Sequence, residues 1–540
     1  MRIPQRTKAK PRAITSQTAT LPAPIGGWNT KDTLAHMSPT DAVVLDNIFP
    51  QTSFCSLRPG SSKHQLVPGH GRTMLVYNAI SGTNKLFVST ADAIYDVTSS
   101  LGTPVAESVT ITDGTFQQTM FGDGTSNYLI IVNGVDNPRY YDGAAWIEIT
   151  GASSPALTGA VTLADIVGVN VFKGRLFFIE NGSLDFWYLS AGAAGGALTK
   201  FSIAGEAKRG GYIMAMSSWT RDAGDGQDDV LVIVTSEGEA IIYQGDNPSS
   251  ATAWAKIGTY FIGKPLGRQC MTQWSADILI LTESGVFEMS SAIKSVRMDT
   301  RFALSYKIQP TFTLSAQIYG STPGWQSTVF PGQNALIVNV PVAQGGEHVQ
   351  YVMNTISRAW CRFTYWHAES FAVFNIGLYF CCDHGDETLI LRAWDGTTDY
   401  PHVEDIELDV VSHLPIPMPI VGYGKQAFNY LGQMEKIKQV KMMRPILGVN
   451  GEGSYGLDID VDFQDRPMFG LLEYVSSKAL WDEATWDVSE WDDANDILRT
   501  WKSIGATPGV AIAPKLQVTS GTASIDWIAM GLLYETGGIM

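Results

Sequence analysis

The chain has 540 residues, with 37 Lys+Arg against 53 Asp+Glu, a formal net charge of −16, and only 17% charged residues. A dedicated nucleic-acid binder is normally basic, and a disordered chain lacks the 45% hydrophobic content found here, so both classes are disfavoured. Fifty-three glycines and 11% aromatics beside so few charges point to an all-β chain, rich in turns, with surface buried between subunits.

Residues 1–23 read as a flexible basic arm. Arg2, Arg6, Lys8, Lys10 and Arg12 precede the first acid, Asp32, and form a candidate interface for an acidic surface, including the body of a neighbouring copy. A secretory leader would continue with an apolar block. Residues 13–30 are instead rich in Thr, Ser, Pro and Gly, which lipid does not accommodate, and no later segment suits a membrane span either. The cysteines, Cys55, Cys270, Cys361, Cys381 and Cys382, are odd in number and scattered, as expected of assembly in a reducing compartment.

From residue 85 one unit recurs: an apolar or aromatic run, a Gly/Asn/Asp turn, and a second such run. The first runs begin at Lys85, Tyr128, Arg175, Asp229, Asp277, Asn334 and Gly377. Turns such as Asn133-Gly134, Asn181-Gly182 and Glu237-Gly238 predict hairpins. The intervals, 43 to 57 residues, lie near the roughly 40–50-residue period of a four-stranded propeller blade. Runs such as Val230-Leu231-Val232-Ile233-Val234 lack polar alternation, as expected of strands covered on both faces. The expectation is a β-propeller over residues 24–410, of about seven blades with six or eight left open; a series of β-sandwiches is the competing architecture.

Near residue 400 the pattern changes. His413 to Pro419 is proline-punctuated and reads as a linker. Leu457, Ile459, Val461 and Phe463 alternate with Asp458, Asp460 and Asp462, which predicts a strand with a core face and a solvated acidic face. Strands are also expected at Ala513–Val518 and Ser524–Ile528. Residues 411–540 are therefore expected to form a smaller, β-sandwich-like domain.

Candidate chemistry is sparse. Gly258 to Pro265 approaches a phosphate loop, but Pro265 stands where the motif needs Ser or Thr. Gly422-Tyr423-Gly424-Lys425-Gln426-Ala427 mimics a dinucleotide fingerprint without its later acid and reads as a turn. Asp222, Asp225, Asp228 and Asp229 are spaced unlike a calcium loop and suit an acidic hairpin tip. Cys361, His367, Cys381, Cys382 and His384 lack paired zinc-ligand spacing, and adjacent Cys381 and Cys382 point to opposite strand faces, so they read as core thiols. No nucleophile elbow or His-Glu-x-x-His motif occurs, and neither an enzyme nor a cofactor is expected. Trp481, Trp486 and Trp491, each followed by Asp, form a five-residue repeat that is neither helical nor strand-like. They are candidate interface anchors; packing within their own domain and stacking on sugars are the other readings.

Several short motifs resemble one family. Pro24-Ile25-Gly26-Gly27-Trp28-Asn29, Met37 to Ala42, Leu45-Asp46-Asn47, Leu57-Arg58-Pro59-Gly60, the hairpins Asp229 to Tyr243 and Asp277 to Glu288, Arg358-Ala359-Trp360-Cys361 and Trp394-Asp395-Gly396 are similar to segments of the β-propeller tail hub, or packaged-DNA stabilisation, proteins of short-tailed bacteriophages. The likeness runs from about residue 24 to the end and leaves out the arm and the Trp-Asp repeat. It implies a non-enzymatic hub or nozzle in the virion tail, assembled in the host bacterial cytoplasm. The expected partners are further copies of itself in a ring of six, portal and adaptor proteins, tail fibres or spikes, and double-stranded DNA passing through the channel. A receptor-binding or carbohydrate-active propeller is the alternative, expected to show carboxylates at its central mouth.

Overall fold

The computed structural model describes residues 16–107, 109–220, 229–294, 299–342, 348–400, 417–468, 472–474, 496–505 and 508–539. The chain forms two compact units, one comprising Arg58–Ile420 and the other formed from the segments before and after it.

Arg58–Ile420 is a seven-bladed β-propeller. Blades 1 to 4 are four-stranded antiparallel sheets that begin with Thr73–Tyr77, Gln117–Gly122, Ile166–Phe172 and Ile213–Thr220. Blade 5 has three strands, from Met271–Trp274 to Gly285–Glu288, and is followed by short helical turns and the helix Gln309–Tyr319. Blade 6 runs from Gln326–Phe330 to Trp360–Phe363. Blade 7 takes three strands from Ser370–Phe374, Gly377–His384 and Glu387–Ala393, and its fourth from Ser61–Pro68. In that closure Leu389 pairs with Leu66 and Ala393 with Ser61, so the two ends of the propeller segment complete one sheet.

Each recurrent apolar run is the second strand of a blade, and its unbroken hydrophobicity has a direct cause. In blade 4, Leu231 and Ile233 pack with Phe177 and Tyr188 of blade 3, whereas Val230, Val232 and Val234 pack with Ile278 and Ile280 of blade 5. Alternate side chains enter two different inter-blade cores, and neither face meets water. Full burial of such a side chain contributes about 1.5–3 kcal/mol, so each run stabilises two interfaces at once.

The second unit contains two sheets. In the first, the 16-residue strand Ser524–Ile539 lies between Cys55–Leu57 and the 15-residue Lys436–Asn450, and also pairs with Ser16–Pro22. In the second, Val421–Gln426 lies between Asp41–Asp46 and Ile512–Ser520, and Gly453–Val461 follows. The sheets pack face to face, and glycine makes this possible: a Cβ on Gly424 would lie 2.6 Å from Trp527, and one on Gly422 would lie 2.6 Å from Leu57.

Four expectations need correction. Residues 24–57 were expected in the propeller and instead supply strands to the second unit, because their short segments complete sheets whose other members lie beyond residue 420. The expected arm is shorter, since Ser16–Pro22 is a strand in register with Pro22 opposite Ala529. Gly422–Ala427 is not a turn; its glycines serve strand packing. The acidic face of Gly453–Val461 is only partly solvated: Asp462, just beyond the strand, is exposed as expected and Asp458 is 22% exposed, but Asp460 is not. Asp460 is fully buried between Lys425 (2.6 Å) and Lys515 (2.9 Å), and Lys515 also reaches Asp458 at 3.2 Å. Lysines on the adjacent strand, Ile512–Ser520, and on the strand beyond it, Val421–Gln426, neutralise these acids, which a single-strand pattern does not reveal. Among the described residues no helix is long and apolar enough to cross a membrane.

Candidate functional site

The first strands of the blades surround a central channel, and side chains staple them together. Gln118 accepts from the Val76 N–H (3.0 Å) and donates to the Met74 carbonyl (2.9 Å), joining blades 1 and 2. Gln326 does the same with both backbone groups of Phe371 across blades 6 and 7. Ser218 donates to the Val171 carbonyl (2.6 Å), Gln273 to the Ser218 carbonyl (2.9 Å), Thr272 to the Ser327 carbonyl (2.8 Å), and the Met74 N–H to Ser370 (3.2 Å). Amides suit this position because each both donates and accepts. Blades 2 and 3 meet through apolar packing, with Ile130 and Tyr140 against Leu176 and Phe178.

Part of the channel is a cavity of about 310 Å³, lined by the first strands of blades 2 to 6 and by Arg268 and Gln269. Arg268 lies on the link from blade 4 to blade 5. Its guanidinium makes only long contacts, to the carbonyls of Ile213 (3.4 Å) and Met214 (3.3 Å) and to Asn181 Oδ1 (3.3 Å), and it stands 5.6 Å from the Tyr212 ring.

An acidic pair lies where blade 7 meets blade 1, at the end where the first strands begin. Burial, with Asp383 beside it, pushes the Glu369 carboxyl up to about 7, against the lowering effect of Arg72. Burial also raises Asp383, opposed by His70 and Arg72, with His70 Nδ1 3.3 Å from the carboxylate. Thr388 ties the crossing to blade 1 by donating to the Gly69 carbonyl (2.6 Å) and accepting from the Gly71 N–H (2.5 Å). With its pKa pushed up to about 7, the desolvated Glu369 carboxyl can hold or exchange a proton near neutral pH, the property that acid–base chemistry requires, and Asp383 is raised beside it.

A clasp secures the closing strand. Arg58 forms a bidentate pair with Asp399 (3.0 and 2.5 Å), donates to the Thr364 carbonyl (2.7 Å), and stacks 4.9 Å from the Trp366 ring. Trp394, at φ 56°, turns the chain so that the Asp395 N–H donates to the Gly60 carbonyl while the Gly60 N–H donates to the Gly396 carbonyl. Ser62 donates to Asp395 at 2.6 Å. Two motifs far apart in the sequence, Arg58-Pro59-Gly60 and Trp394-Asp395-Gly396, thus form one structural element.

Arg2, Arg6, Lys8, Lys10, Arg12, Asp222, Asp225, Asp228, Trp481, Trp486 and Trp491 lie outside the described residues. Gly258 belongs to the outer strand of blade 4, Trp254–Phe261, and not to a helix start. All five cysteines are buried free thiols; Cys381 packs in the core between blades 7 and 1, and burial raises its pKa. Among the described residues no group of three or more His, Cys, Asp or Glu is placed to hold a metal ion. Sequence reasoning did not single out Glu369, Asp383, Asp399 or Arg268. The available signal for the first two was an acid at the edge of an apolar strand.

The topology defines the class: an all-β protein built from a closed seven-bladed propeller and a two-sheet unit. No family model matches the chain, and no curated protein matches it either. Among solved structures it is similar to BBS1N in complex with ARL6DN, at 11% identity over 63% of this chain and 99% of that one, with a TM-score of 0.37. It is similar to YCF48 from Cyanidioschyzon merolae at 11% identity over 64% and 100%, TM-score 0.34, and to Chaetomium thermophilum Raptor at 11% over 62% and 30%, TM-score 0.35. The likeness concerns the fold alone, and no function is taken from it.

Proposed function

We propose that this protein is a structural component of a short-tailed phage virion, a tail hub or nozzle. Several copies, six by the family resemblance, form a ring that extends the DNA channel below the portal and adaptor, retains the packaged genome, and opens for ejection. The observation that carries this reading is the pair of long strands, Lys436–Asn450 and Ser524–Ile539. At ~3.4 Å per residue each spans roughly 50 Å, well beyond the usual 3–10 residues of a globular strand and suited to the wall of a tube. The acidic balance of the chain supports a conduit that repels phosphate and lets DNA slide, the opposite of a binder that neutralises it. The conduit in this reading is the axis of the ring of copies, not the channel of a single propeller. Mixing the purified protein with a portal–adaptor complex tests it: co-sedimentation as a defined particle supports the proposal, and absence of association contradicts it.

The desolvated carboxyls of Glu369 and Asp383 favour a second reading, a carbohydrate-active propeller. Incubation with bacterial polysaccharides discriminates: hydrolysis that disappears in Glu369→Gln supports this second reading over the first.

A further inference from the structure

We propose that the channel mouth beside Arg268 binds an acidic sugar. Three observations converge there. First, the cavity of about 310 Å³ stands at the lower end of the ~300–1,000 Å³ range of small-molecule pockets, the size of a monosaccharide or the end of an oligosaccharide. Second, its polar lining is uncharged except for Arg268, and part of it is unused. Gln118 and Gln326 are consumed in stapling blades, but Gln117, Thr119, Asn170 and Gln269 have no side-chain partner among the described residues. The Asn170 Nδ2 is buried from water without an acceptor, an arrangement that costs free energy unless something accepts from it. Third, Arg268 has no carboxylate partner among the described residues, and its three contacts are all 3.3 Å or longer, so its planar fork remains available.

These groups select a ligand chemistry. A guanidinium fork matches a carboxylate bidentately, whereas amides and hydroxyls that both donate and accept match sugar hydroxyls. A phosphate-rich polymer would bring several negative charges against a single cation. A neutral sugar would leave the fork unused. A uronic or sialic acid residue satisfies both halves of the site. This inference is independent of the tail reading: a chain that forms rings and ignores sugars, and one that binds sugars and forms no ring, give different results.

The test is isothermal titration of the full chain with glucuronic acid and N-acetylneuraminic acid, with glucose and inorganic phosphate as controls. The expected result is saturable binding of at least one acidic sugar, about tenfold or more tighter than glucose. Arg268→Gln is expected to remove that preference while circular dichroism stays unchanged, and Asn170→Ala is expected to weaken binding independently. Absence of binding by both acidic sugars, equal binding of glucose, binding of phosphate alone, or undiminished binding by a folded Arg268→Gln protein would overturn the proposal.

Discussion

Replacing Arg58 with methionine tests how the ring is closed. The Arg58 and Asp399 side chains are 0% and 6% exposed, so the pair is isolated from water. Arg58→Met fills much of the same volume but removes both hydrogen bonds to Asp399, the bond to the Thr364 carbonyl, and the stacking on Trp366. Asp399 would keep the Trp366 indole N–H, at 3.3 Å, against its buried charge. Leaving one partner of a buried ion pair uncompensated costs about 3–5 kcal/mol. That is a large fraction of the ~5–15 kcal/mol by which a folded domain is stable. Urea unfolding followed by tryptophan fluorescence is a suitable assay, because Trp366 and Trp394 stand within the clasp. The single variant should lose stability by that amount and become sensitive to protease between Ser61 and Pro68, the strand the clasp holds. The double variant Arg58→Met/Asp399→Leu, with no charge left behind, should recover most of the loss. A single variant within about 1 kcal/mol of the parent, or a double variant no better than the single, would refute the reasoning.

Three further predictions follow from other sites. Burial raises the Glu369 carboxyl from the ordinary 4.5 to about 7 in the folded chain, so its contribution to stability should be full below about pH 4.5 and be lost as pH rises to 7, by up to about 3 kcal/mol, and this component of pH-dependent urea melts should disappear in Glu369→Gln. Asp460→Leu should destabilise the second unit by up to about 3–5 kcal/mol, because it leaves Lys425 with only the exposed Asp465 and Lys515 with only the part-exposed Asp458 as carboxylate partners, whereas Asp465→Ala, at a side chain 83% exposed, should change thermal stability by less than about 1 kcal/mol. Gly424→Ala should cost about 1–3 kcal/mol in denaturant titration by forcing a methyl against Trp527.

The propeller was legible because blade strands carry a local signature. Runs such as Tyr128 to Val132 are short, unbroken and followed by Asn-Gly turns, and their spacing reflects a repeating module whose contacts are mostly with its neighbours. Closure was not legible, since the Ser61–Pro68 strand finds its partner more than 300 residues away and has no copy of the repeat. The same reason hid Ser16–Pro22, whose Thr- and Ser-rich segment reads as a tail until Ser524–Ile539 provides an edge. Chemistry was the least legible part. Asp458 and Asp460 looked solvated because the lysines that neutralise them sit on other strands. Glu369 and Asp383 acquire raised pKa values only from burial at a blade junction, which depends on the ring being closed.

Assembly is the claim on which the functional account depends, and imaging tests it most directly. Electron microscopy of the purified full chain, alone and with a portal–adaptor complex, should show discrete hollow rings, with a particle mass near six times 58.7 kDa. Compact single particles of one chain's mass under every condition would contradict the account.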